Sequence, residues 1–120
     1  MNRRTFTRIA PSLLALPVFA LAAALDAAPA RADDAATLSI TIKDHKFDPP
    51  ELHAPADASI TIRVKNLNDT PSEFESGDLH FEKIVPVGRE AAVHVRPLKP
   101  GRYKFFDDFH RATQGVLVVP

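Results

Sequence analysis

Apolar and polar residues alternate with a period of two through most of the chain beyond residue 36. Leu38, Ile40 and Ile42 alternate with Ser39, Thr41 and Lys43. Ile60, Ile62 and Val64 alternate with Thr61, Arg63 and Lys65, and Ala91, Val93 and Val95 with Ala92, His94 and Arg96. Each run predicts a strand with one apolar face. Val116 to Val119 is unbroken apolar sequence, the pattern of a strand covered on both faces. Turn chemistry separates the runs at Asp48-Pro49-Pro50, Asn66 to Pro71, Ser76-Gly77-Asp78, Pro86-Val87-Gly88 and Lys99-Pro100-Gly101. No stretch beyond residue 32 carries a helical stripe. The pattern predicts an all-β, antiparallel Greek-key sandwich of about seven strands. Its expected core is Ile40, Ile42, Ile60, Ile62, Val64, Val93, Val95, Tyr103 and Val118.

The first 32 residues follow a different pattern. Arg3, Arg4 and Arg8 make a basic start, Leu13 to Leu25 is an Ala/Leu-rich run broken by Pro17, and Ala30-Arg31-Ala32 is a small-x-small cleavage signal. The apolar run is shorter than the roughly 20 residues of a spanning helix, so a cleaved signal peptide is expected rather than a permanent membrane anchor. Asn2-Arg3-Arg4-Thr5-Phe6 resembles the twin-arginine export signal, from which Thr7 and Arg8 depart. The expected organisation is a signal peptide over 1–32 and one domain over 33–120, delivered to the bacterial periplasm.

Composition narrows the chemistry. The chain has no Cys, and its one Met is Met1. A small exported domain without disulfides depends on a well-packed apolar core, helped in some cases by a metal. Once the basic signal is set aside the domain is mildly acidic, so no nucleic-acid partner is expected. Ser39, Ser59, Ser72 and Ser76 lie in no nucleophile-elbow sequence.

Four clusters carry the candidate chemistry: Asp44-His45, Glu73-Phe74-Glu75, Asp78 to Lys83, and Phe106-Asp107-Asp108-Phe109-His110. In an extended segment Glu73 and Glu75 project to the same side. Asp107, Asp108 and His110 set hard ligands between two phenylalanines, which limit water access. The alternative for these aspartates is a structural loop in which they cap backbone amides. His80 and Glu82 alternate with Leu79 and Phe81, a spacing that admits a second metal or a solvated strand face.

The phenylalanine–proline segment Phe47-Asp48-Pro49, the Asn-rich loop from Asn66, and Leu98-Lys99-Pro100-Gly101-Arg102-Tyr103 before an acidic loop resemble the cupredoxins. Glu73-Phe74-Glu75-Ser76, Glu82-Lys83 and Phe105 to His110 resemble more narrowly the cupredoxin-like periplasmic proteins of bacterial iron uptake, the FtrB-like proteins and the cupredoxin domain of EfeO. The resemblance spans Leu38 to Pro120 and implies a cupredoxin-like sandwich. In the blue-copper pattern the first His ligand corresponds here to Glu73, the Cys to Phe106-Asp107 and the second His to His110, while the Met has no counterpart. Without a thiolate, a type 1 copper centre is excluded, and carboxylates with imidazole suit Fe, Mn, Zn or Cu(II).

The expected metal ligands are therefore Glu73, Glu75, Glu82, Asp107, Asp108, His110 and His45, with His80 a weaker candidate, all gathered at one end of the sandwich. The resemblance implies a copper or iron ion as cofactor, and as partners a periplasmic iron-binding protein and an inner-membrane iron permease. It places the chain in ferrous-iron transport, as an accessory to Fe(II) oxidation rather than an enzyme on its own. Two other readings stay open: a periplasmic Cu(II)-handling protein, and a metal-free module whose acidic rim docks a permease.

Overall fold

The computed structural model describes residues 11–15 and 35–120. The expected signal peptide thus lies outside the described residues, apart from the exposed stretch 11–15. Nine strands follow: β1 (Ala36–Lys43), β2 (Lys46–Asp48), β3 (Glu51–His53), β4 (Ile60–Asn66), β5 (Ser72–Ser76), β6 (Phe81–Val85), β7 (Glu90–Val95), β8 (Gly101–Asp107) and β9 (His110–Val119). They form two sheets, ordered β2-β1-β4-β7 and β3-β9-β8-β5-β6.

The all-β sandwich is as expected, but it is not wholly antiparallel. β1 pairs in parallel with β4, and β3 in parallel with β9. The Asp48-Pro49-Pro50 link is the cause. Proline has no amide hydrogen to donate, so β2 stops after three residues and the chain crosses to the second sheet as β3. It then returns as β4 alongside β1. β2 and β3 are too short to show as periodic runs, which is why about seven strands were expected.

Ile40, Ile42, Ile60, Ile62, Val64, Val93 and Val95 are buried where the alternation placed them. Val118 is not a core residue. β9 alternates, so Leu117 and Val119 face inward while Val118 is half-covered on the outer face. Tyr103 is half-buried and packs against the core rather than within it. Its hydroxyl donates to Lys99 O at 2.7 Å, closing the corner before β8.

Two features fix the end of the sandwich where the candidate residues lie. Asn66 is fully buried at the end of β4; its Nδ2 donates to Thr70 O and Val85 O, and its Oδ1 accepts from Asn68 N. The β6–β7 turn hangs on the same residue through Gly88 N to Asn66 O. Beneath the loops Phe47, Phe74 and Phe105 pack together, with Phe105 edge-on to both of the others at 5.0 and 5.4 Å. Each such buried ring contributes roughly 1.5–3 kcal/mol.

Gly115 lies against this cluster. A Cβ there would stand 2.3 Å from the Phe105 ring and 2.9 Å from Pro50 O. Because Phe105 is fully buried, its ring has no open side to move into. Gly115→Ala is expected to destabilise the domain by about 1–3 kcal/mol in urea titration. An unchanged midpoint would show that the aromatic cluster is loosely packed.

Candidate metal centre

The β1–β2 turn, the β4–β5 loop, the β6–β7 turn and the β8–β9 turn meet at one end of the sandwich. Hydrogen bonds tie them together: Leu67 N to Ile42 O, His45 N to Asn68 Oδ1, and Asp108 N to Glu73 O.

Asp107 ends β8 with the same inward parity as Phe105, and it is fully buried. Its Oδ1 accepts from Glu73 N at 2.9 Å and Phe109 N at 3.1 Å. One oxygen therefore caps amides, as the structural alternative for this loop anticipated. The other does not. Oδ2 is buried without a hydrogen-bond partner and faces the buried Nδ1 of His110 at 3.4 Å, within ion-pair distance but misaligned for a hydrogen bond. Buried polar atoms left without a hydrogen bond are costly, so their presence calls for an explanation.

His45 reaches the same place from the β1–β2 turn. Asp44 and His45 both have positive φ, 51° and 56°, so the hairpin turn is type I′. For a residue other than glycine that conformation costs on the order of 1 kcal/mol or more. The backbone is held by Asn68 Oδ1 on its amide and by the Thr113 hydroxyl on its carbonyl. The His45 ring lies 4.2 Å from that of His110, tilted by 37°.

Glu73 and Glu75 face the other way. Phe74 between them points into the core, so the carboxylates project from the outer face of the five-stranded sheet. Together with Asp108 they bring one ligand atom each within 4.8 Å of one another. Glu82, opposite Glu75 in the β5–β6 register, shares a hydrogen bond with Glu73. That bond, then burial, then the charges of Glu82, Asp108 and Glu75 push the Glu73 carboxyl up to about 7. One cation enters the group: Arg111 Nη2 lies 2.7 Å from Asp108 Oδ1, and its guanidinium stands 5.9 Å over the Phe106 ring.

The seven expected ligands thus form two groups rather than one cluster. Asp107 and His110 meet inside the loop end with the exposed His45 ring at its mouth, while Glu73, Glu75, Glu82 and Asp108 gather on the outer face; among the described residues only Glu73, Glu75 and Asp108 bring three ligand atoms within 4.8 Å of one another. Strand alternation separates them. Glu73 also does not occupy the inward place expected of a first ligand; Ser72 does, fully buried with its Oγ unpartnered. Its parity with Phe74 is the signal that would have found it. Asn68 and Thr113, which hold His45, had no such signal, since each acts through a contact distant in sequence.

His80 belongs to neither group. It sits in a turn at the far end of β5, with φ of 59°. Leu79 N donates to Ser76 Oγ and Lys104 N to Asp78 Oδ2, which close that turn and break the alternation expected over 78–82.

The donors present do not fit a thiolate copper site, because the chain has no Cys. They do fit a harder ion. Two ligands each about 2.05 Å from one tetrahedral ion stand about 3.3 Å apart, close to the 3.4 Å between Asp107 Oδ2 and His110 Nδ1.

The outer group has a consequence for stability. Glu73 is raised from 4.5 to about 7, so between these values the folded state binds more protons than the unfolded chain. This stabilisation is complete below 4.5 and is lost as pH rises through 7. Metal-free Glu73→Gln should therefore exceed the parent in stability at about pH 8 and approach it at about pH 5, read by chemical denaturation. Equal stabilities at the higher pH would show that the carboxylates do not repel one another.

The chain matches the cupredoxin-like domain family over residues 13–119. An uncharacterised protein of Rickettsia prowazekii (strain Madrid E) is 46% identical over 88 residues, covering 72% of this chain and 70% of that protein. Among solved structures, the metal-binding domain of the Streptococcus pneumoniae D39 Cu(I)-exporting P-type ATPase CopA, determined with Cu(I), superposes with a TM-score of 0.65 at 13% identity. That match covers 73% of this chain and 88% of the domain. A reduced amicyanin variant gives a TM-score of 0.58 at 21% identity over 70% of this chain and 82% of amicyanin. These likenesses are of fold. With a matching sandwich, and with the family's features spanning nearly the whole domain, the chain belongs to the cupredoxin-like domain family.

Proposed function

We propose that this protein is a periplasmic metal-binding component of a bacterial ferrous-iron transport system, handling iron, copper or both. One observation carries the reading: Asp107, fully buried at the ligand-loop end of the fold, turns a carboxylate oxygen that accepts no hydrogen bond toward His110 Nδ1 at 3.4 Å, the two facing each other as ligands of one ion would. Those two groups would hold the ion. A bound Cu(II) would supply an electron acceptor that the side chains themselves do not.

The outer carboxylates favour the same role. Glu73, Glu75 and Asp108 bring three carboxyl oxygens within 4.8 Å of one another. Hard oxygen donors stabilise Fe(III) more than Fe(II) and so lower the energy of oxidation. The resemblance of Glu73-Phe74-Glu75 and Phe105 to His110 to the FtrB-like proteins and the EfeO domain is the ground for this place in iron uptake. On this reading the partners are a periplasmic iron-binding protein and an inner-membrane permease, and the chain assists oxidation without completing it alone.

A second reading is Cu(II) handling through the same residues, which imidazole and carboxylate donors suit. Cu(I) delivery is disfavoured, since beyond Met1 the chain offers no sulfur ligand. A metal-free docking module would leave Asp107 and His110 as a buried charge pair with no ligand.

The purified protein is expected to bind Cu(II) or iron with micromolar or tighter affinity in calorimetry, without the intense absorption of a copper thiolate. Asp107→Asn keeps the oxygen that accepts from Glu73 and Phe109 but removes the charge. It should weaken binding by about tenfold or more while preserving the fold. Absence of binding in the parent would favour the docking module, and unchanged affinity in the variant would place the ion elsewhere. Iron-limited growth that needs the parent but not a copper-export system separates the iron from the copper reading.

A further inference from the structure

The Asp44-His45 turn carries a residue its geometry does not favour. Type I′ turns favour Asn-Gly or Asp-Gly, because glycine takes positive φ without penalty. Here the second position is His45 at φ 56°. Side chains from two other elements hold that backbone: Asn68 Oδ1 from the β4–β5 loop and the Thr113 hydroxyl from β9. The centroid of the imidazole they present stands 4.2 Å from that of His110, whose buried Nδ1 faces Asp107 Oδ2 at 3.4 Å with no hydrogen bond formed by either atom. Unlike His80, which shares this conformation, His45 is held in it by side chains of two distant elements.

We propose that His45 is the third ligand of a two-imidazole, one-carboxylate site completed by Asp107 and His110, and that Asn68 and Thr113 are its positioning residues. The inference rests on the reading that the loop end binds metal. With the turn backbone clamped, the side-chain torsions of His45 are the freedom that brings a ring nitrogen to the ion. Two neutral nitrogens and one anionic oxygen, with positions left open, are a donor set for Fe(II) or Cu(II). Calcium and magnesium, which take oxygen ligands, are disfavoured. The inner site thereby differs in kind from the all-oxygen group on the outer face. His45 is exposed, so the site opens to solvent on the side of the β1–β2 turn.

The test uses the full chain with Cu(II) alone as the probe. Pulsed electron paramagnetic resonance counts the coordinated imidazoles, and calorimetry gives the affinity. The parent should show two imidazoles. His45→Gly suits the turn, so it should fold at least as well by thermal melting, yet show one imidazole and an affinity lower by about tenfold or more. Thr113→Val should keep both imidazoles but bind more weakly. His94→Ala, which alters a surface imidazole bonded to Thr61, should change nothing. One imidazole in the parent, or an unchanged count and affinity in His45→Gly, overturns the third ligand while leaving the metal reading intact. A parent that binds no Cu(II) and no iron overturns both.

Discussion

The loop end of this sandwich is organised around one carboxylate. Asp107 Oδ1 accepts from an amide of β5 and an amide of the β8–β9 turn, so a single side chain holds the acidic turn against the neighbouring strand. Through Glu73 O, which accepts from Asp108 N, the same joint fixes the outer carboxylates. Full burial makes the arrangement demanding, because a carboxylate away from water is tolerated only with partners. One of its oxygens has them. The other faces His110 Nδ1 at 3.4 Å, within ion-pair distance but without a hydrogen bond.

Replacing a thiolate frame by a carboxylate changes what the fold can do. A soft sulfur ligand suits electron transfer through copper, whereas a carboxylate with imidazole suits harder ions and open coordination. The rest of the end is built consistently with that change. An apolar floor of Phe47, Phe74 and Phe105 lies beneath Asp107, and a second, all-oxygen group lies on the other side of β5. The two groups share the Glu73 backbone, whose amide donates to Asp107 Oδ1 and whose carbonyl accepts from Asp108 N.

Much of this was legible in the sequence. Period-two alternation placed β1, β4 and β7 and most of their buried residues, and the Leu98 to Tyr103 corner formed with its hydroxyl bond in place. What alternation could not carry was lost. The Pro49-Pro50 crossing made two strands too short to read and turned two pairings parallel. Side-chain bonds from Ser76 and Asp78 curled 77–80 into a turn and removed His80 from the site. The acidic residues were identified individually, but their division into inner and outer groups depends on which way Phe74 points. Asn68 and Thr113 were invisible for a deeper reason, since their partner His45 is 23 and 68 residues away.

The proposed metal ion would lie between Asp107 and His110 at the loop end. Anomalous diffraction at the copper edge, from crystals grown with Cu(II), tests that location most directly. The account predicts a strong anomalous peak about 2 Å from Asp107 Oδ2 and from a ring nitrogen of His110. Copper found only at exposed imidazoles such as His53 or His94, with no peak between Asp107 and His110, would contradict it.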